Sequence, residues 1–204
     1  MKNIRKNTLL ILLLLTAICG QKAYGLTETE QTLETSVQPT VTIEKLSSSK
    51  ENGTVNPETG VHEGLQSVFR LQTNGNDDDN DFVITSRILS ADGEVSAYGF
   101  DGRILFGHIT EPPTASAIND AKQGGNNNKN VIAYPVTLTV TSPFTSQYKN
   151  GNGTYGDCYM VKVNNGNDGT VTHIVGASPT SGSYSIKDQA GTYKAVVTFT
   201  AVSK

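Results

Sequence analysis

Gly191-Thr-Tyr-Lys-Ala-Val-Val-Thr-Phe-Thr-Ala-Val-Ser-Lys204 decides how this chain is read. Tyr193, Ala195, Val197, Phe199 and Ala201 fall on one side of an extended backbone, and Thr192, Lys194, Thr198 and Thr200 on the other. Successive side chains of a strand point to opposite faces, so a period of two marks a half-buried β-strand. Such a stretch is ordered only when it pairs inside a sheet. The spacing predicts one terminal strand, with Tyr193, Val197, Phe199 and Ala201 turned toward a core.

Working outward, the same period recurs. Ile132, Tyr134, Val136, Leu138 and Val140 alternate with Ala133, Pro135, Thr137 and Thr139, a strand that Pro135 places at a sheet edge. Residues 65–73 and 82–89 flank the polar run 74–81 and read as a hairpin opened by Asn74-Gly75. Residues 95–100 and 103–109 flank Asp101-Gly102, and residues 159–163 and 170–175 flank 164–169, each pair again a predicted hairpin. Val37, Pro39, Val41 and Ile43 give a first strand, and residues 183–186 a short late one. Residues 114–122 suit a short helix capped by Thr114. Residues 47–62, 124–130 and 144–156 read as loops. About eight to ten short strands at this spacing predict an all-β protein, most simply a two-sheet β-sandwich.

The chain has 204 residues and its first 25 read as an export signal. Lys2, Arg5 and Lys6 are basic, residues 8–18 are apolar, and Ala23-Tyr24-Gly25 supplies a small-x-small cleavage site. The apolar run is shorter than the roughly 20 residues a membrane helix needs. Ile18 stands before Cys19 where lipidation would want a small residue. The expected organisation is a signal peptide (1–25), a flexible N-terminal arm (26–36) and a β-domain (37–204). The formal charge of −3 falls to −7 once the signal's four basic residues (Lys2, Arg5, Lys6, Lys22) are gone. That acidity argues against nucleic acid and anionic membrane surfaces as partners. Cys158 is then the one cysteine left, and it reads as a small buried hydrophobe.

Little in the sequence points to catalysis. His62, His108 and His173 show no metal-ligand spacing. No G-x-S-x-G elbow, phosphate loop or dinucleotide fingerprint occurs, and tryptophan is absent. No cofactor, no metal and no enzymatic activity are expected. Asp77-Asp-Asp-Asn-Asp81 is rich in oxygen ligands, but Phe82 and Ile88 stand at the sixth and twelfth places of a calcium-loop pattern. It reads as a solvated tip, as does Asp168 with Asn164, Asn165 and Asn167. Asn52-Gly-Thr54 and Asn152-Gly-Thr154 are glycosylation sequons that mark surface loops. Tyr148, Asn152 and Tyr155, on a Gly/Asn-rich stretch, form a candidate ligand loop.

Leu33-Glu-Thr-Ser-Val-Gln-Pro-Thr-Val-Thr-Ile43 resembles the mature N-terminus of chaperone–usher fimbrial subunits of the alpha, or colonisation-factor, class, where an arm runs into a Ser-Val-x-Pro-Thr-Val/Ile strand that Ser36, Val37, Pro39, Thr40 and Val41 match. Phe69-Arg-Leu-Gln-Thr-Asn74 followed by Phe82-Val-Ile84 is similar to that family's Thr-Asn hairpin. Gly182-Ser-Tyr184 and Gly191-Thr-Tyr193 look like the Gly-x-Tyr opening of its last strand. The resemblance covers about a third of the chain after the signal. It implies an immunoglobulin-like sandwich lacking a strand, with a groove that a periplasmic chaperone and then the arm of the next subunit fill by β-augmentation. It makes Leu33, Val37, Val41 and Ile43 donor-arm or first-strand contacts, and Val197, Phe199 and Ala201 the groove lining. Implied partners are like subunits, a chaperone and an usher, and a host glycan or receptor; the implied location is the periplasm, then the cell surface. One departure is the arm's inward face: of Thr27, Thr29, Gln31, Leu33 and Thr35, only Leu33 is large and apolar. The alternatives are a tip adhesin or carbohydrate-binding sandwich and, from the enzyme class, a secreted hydrolase.

Overall fold

The computed structural model describes residues 31–56, 59, 64–125, 129–163, 166–176 and 188–204. The expected signal, the strand at 183–186, His62, Asn164, Asn165 and the Gly182-Ser-Tyr184 motif lie outside them. The chain divides into two compact units, Met1–Val37 and Gln38–Lys204. In the first, residues 31–37 are exposed and form no strand.

In chain order the second unit contains β1 (Val41–Lys45), β2 (Gln66–Thr73), β3 (Asn80–Ser90), β4 (Gly93–Ser96), β5 (Ile104–His108), helix α1 (Ala115–Lys122), β6 (Val131–Tyr134), β7 (Val136–Val140), β8 (Thr145–Asn152), β9 (Gly156–Lys162), β10 (Asn167–Val175), β11 (Tyr193–Lys194) and β12 (Val196–Ser203). The protein is all-β, built from antiparallel sheets. One sheet has the order β1-β2-β10-β7, and a second β12-β3-β9-β8 with β4 added to β3. A third, small sheet has the order β11-β5-β6.

All three sheets feed one core. Phe69, Leu71, Val171 and Val175 enter it from the first sheet; Phe82, Ile84, Tyr159, Val161 and Phe199 from the second; Ile104, Phe106, Ile132 and Tyr134 from the third. Alternation is why these residues meet: every second side chain of a strand points to the same face, and β5 and β6, buried on both faces, give their other face to a second cluster. α1 starts where Thr114 Oγ1 accepts the Ala117 N–H at 3.2 Å, the usual N-cap bond. Its buried Ile118 and Ala121 cover that second cluster with Ile88, Leu105 and Val131.

Several sequence expectations are corrected. The terminal strand is two strands: β11 pairs with β5 and β12 with β3, and the ladder breaks at Ala195. Tyr193 therefore belongs to the small sheet rather than the last strand. Residues 132–140 are likewise two strands, because Pro135 has no N–H to donate and the chain changes sheet there. The hairpin of residues 65–73 with 82–89 does not form: β2 pairs with β1 and β10, and β3 with β4, β9 and β12. The polar run between them is a crossover, held where Asp77 Oδ1 accepts the Val163 N–H and Asp79 Oδ2 the Asn76 N–H. The hairpin of 159–163 with 170–175 fails in the same way, since β9 and β10 lie in different sheets. Around Asp101-Gly102 only a short turn survives, with a bridge between Tyr98 and Ile104. The first strand starts at Val41, past Pro39. Most of the expected loop at 144–156 is strand β8, whose polar sequence hides its pairing with β9.

Candidate functional site

A cleft runs between β1 with the segment after it and the β11–β12 strand pair. Phe69, Ile104, Phe106 and Val175 line its middle, and Val197 one wall. This part encloses about 500 Å³. It continues into a second cavity of about 510 Å³, reaching Val55, Ile132 and Tyr134, and the two share Leu65, Phe106 and Tyr193. A third, more polar hollow lies by Val41 and Ser203 at the other end of the same seam. On the rim, Lys45 Nζ and Glu51 Oε1 make an exposed ion pair at 2.6 Å.

The sequence explains the two walls. β12 reads Val-Val-Thr-Phe-Thr-Ala-Val-Ser, eight residues with no charge, proline or glycine. Phe199 is buried and packs edge-on to Phe69, ring centres 5.6 Å apart, while Val197 and Ala201 are half-buried. On β1, Val41 and Ile43 are half-buried against the core. The cleft meets β1 at Lys45 and β12 at Val196 and Val197, and both strands are sheet edges: β1 pairs only with β2 and β12 only with β3 among the described strands.

Beneath the cleft lies a polar aromatic block that no motif in the sequence announces. Tyr98 and His173, both fully buried, share a hydrogen bond of 2.9 Å between the phenol oxygen and Nε2. Tyr159 packs on both rings and donates its hydroxyl to Gly102 O at 2.8 Å. Burial pushes the Tyr98 phenol well up, and lifts Tyr159 to about 12. The same burial lowers His173 to about 4, since a proton on the ring would be charged in an apolar surround. His173 Nδ1 and Ser67 Oγ are buried atoms with no hydrogen-bond partner among the described residues. His173 and Ser67 face one another in the β10–β2 register, and both line the cleft.

Of the residues singled out from sequence, Val41, Ile43, Tyr193, Val197, Phe199 and Ala201 all pack on the shared core. Leu33 and Val37 are 86% and 81% exposed. Tyr148, Asn152 and Tyr155 each hold a separate hydrogen-bond partner. Tyr148 sits in β8, half-buried, and donates to Gly99 O. Asn152 Oδ1 accepts the Thr154 N–H at 2.9 Å to shape its own turn. Tyr155 gives its hydroxyl to Asp81 Oδ2 at 3.0 Å. The Asp77 and Asp79 carboxylates accept backbone N–H groups within the crossover and from Val163, and Asp81 takes Tyr155 and Lys204; among the described residues no group of three or more His, Cys, Asp or Glu is placed to hold a metal ion. Cys158 is fully buried, and desolvation raises its thiol pKa. No protein-family model matches the chain, and no curated protein matches it.

Proposed function

We propose that this chain is an exported, non-catalytic fimbrial subunit: an immunoglobulin-like β-sandwich that assembles by taking a strand into the seam between β1 and β12. The observation that carries the reading is the coincidence of an apolar cleft with two sheet edges. A long uncharged edge strand is a template for another chain, and proteins normally blunt or cover it. β12 has no blunting residue along its length, and Phe69, Ile104 and Phe106 beside it offer side-chain pockets. Main-chain pairing plus alternate pockets is the chemistry of strand addition. A heterologous contact of this type, repeated head to tail, builds a fibre. The export signal, the route through the periplasm, and a chaperone and usher as carriers belong to the same reading.

Deleting residues 26–35 tests it. The truncated protein should keep the circular-dichroism spectrum of the full chain and stay monomeric in sedimentation. The full chain, on release from the periplasm, should form a ladder of oligomers. Equal assembly by both would remove the arm as the donated strand.

A further inference from the structure

The cleft floor changes character along β2. Its inward residues, two apart and so about 6.8 Å from one to the next, run Phe69, then Ser67, and on to Leu65 just before the strand. Across the ladder, the inward residues of β10 run Val171 opposite Phe69, then His173 opposite Ser67, then Val175. The floor therefore reads apolar, polar, apolar. At the polar step, His173 Nδ1 and Ser67 Oγ are both buried and unpartnered among the described residues, and His173 is completely buried. A buried polar atom without a protein partner is costly, so a ligand group that hydrogen-bonds it is favoured there.

The arm carries the matching sequence. On one face of its extended chain stand Leu33, Thr35 and Val37: apolar, polar, apolar, with the same two-residue step. All three are exposed. We propose that the cleft's occupant is the arm of a second copy of this chain, with the Thr35 hydroxyl set against Ser67 and His173 and with Leu33 and Val37 in the apolar steps on either side. The inference rests on the strand-taking reading above and adds to it the register and its polar key. A hydroxyl both donates and accepts, so it serves whichever tautomer His173 adopts and still leaves a bond for Ser67. The polarity of the arm then becomes a specificity device. A strand with an unbroken apolar face would bury the two orphan atoms without a partner and be disfavoured by comparison.

The experiment compares full-length chains carrying Thr35→Val, Ser67→Ala, or both, with dissociation of purified oligomers followed by exchange of fluorescently labelled subunits. Thr35→Val keeps the shape and removes the hydroxyl. It should speed subunit exchange about tenfold while leaving the monomer's melting temperature unchanged. Adding Ser67→Ala to Thr35→Val should cost less than the two single effects combined, the coupling expected of groups in contact. Oligomers that exchange at the wild-type rate with Thr35→Val overturn the polar key and leave strand addition standing. A wild-type chain that never assembles overturns both.

Discussion

Acid should weaken this protein through one side chain, His173. The unfolded ring has a pKa of 6.5, and in the fold burial brings it to about 4. Between these values the unfolded chain binds a proton that the folded chain does not. Stability therefore rises with pH across that window. It is fully present above about pH 6.5 and is lost as the pH falls toward 4. At about 1.36 kcal/mol for each pH unit, the whole effect is about 3 kcal/mol, a large part of a total that is typically about 5–15 kcal/mol. The groups packed on the ring are phenols, Tyr98 and Tyr159, which stay neutral throughout and cannot compensate a charge. The assay is urea unfolding at pH 7, 6, 5 and 4 for the wild type and His173→Gln, whose amide keeps a polar atom for Tyr98 but does not titrate. Every group other than residue 173 is common to both proteins, so the difference between the two curves isolates the ring. The wild type should lose its advantage over the variant progressively from pH 6.5 to pH 4. A difference that stays constant with pH would refute the argument, and would mean that the ring is solvated or paired in its charged form.

Two further outcomes follow from the same block and its neighbours. Gly102 has φ +81°, and a Cβ there would stand 2.7 Å from the Tyr159 hydroxyl oxygen. Gly102→Ala combines a left-handed backbone with a clash and should cost about 1–3 kcal/mol in thermal unfolding; an unchanged melting temperature would show that Tyr159 swings away freely. Cys158 is fully buried with its thiol pKa raised by desolvation, so a thiol reagent should label it only in denaturant. Labelling of the folded protein at the unfolded rate would contradict the placement of β9.

Much of the strand content was legible because alternation is local. β2, β3 and β12 lie within a few residues of their expected places, and α1 begins at the Thr114 cap that the sequence offered. Partnering was not legible. Asn74-Gly75 and Asn164–Gly169 carry good turn chemistry, yet each joins strands of different sheets. Turn residues state that a chain reverses, not which strand receives it. The breaks at Pro135 and Ala195 were hidden for a related reason: side-chain alternation continues across them, so the hydrophobic pattern survives while the backbone ladder changes partner. β8 was missed because an edge strand needs only one inward face, and Tyr148 alone supplies most of its apolar content. The polar block under the cleft was invisible for want of contiguity. Tyr98, Tyr159 and His173 come from three distant segments, and only the register of β10 on β2 brings His173 to Ser67.

The two breaks have a joint consequence for the rims of the sheets. β6 passes through Pro135 into β7, an edge of the first sheet, and β11 passes through Ala195 into β12, an edge of the second. The small sheet thus ties one edge of each larger sheet to the other. At the two seams between the larger sheets, β7 comes near β8 and β1 near β12. The first seam carries devices that discourage further pairing: Pro135 heads β7, and β8 has a register shift between Lys149 and Asn152. Both are ways in which natural sheets blunt an edge. At the second seam β1 ends in Glu44 and Lys45, but β12 runs eight residues without charge, proline, glycine or register shift. Selection for solubility alone would treat both seams alike. The asymmetry, with the apolar cleft on the unguarded side, is the physical reason to look for a binding strand there rather than on any other face.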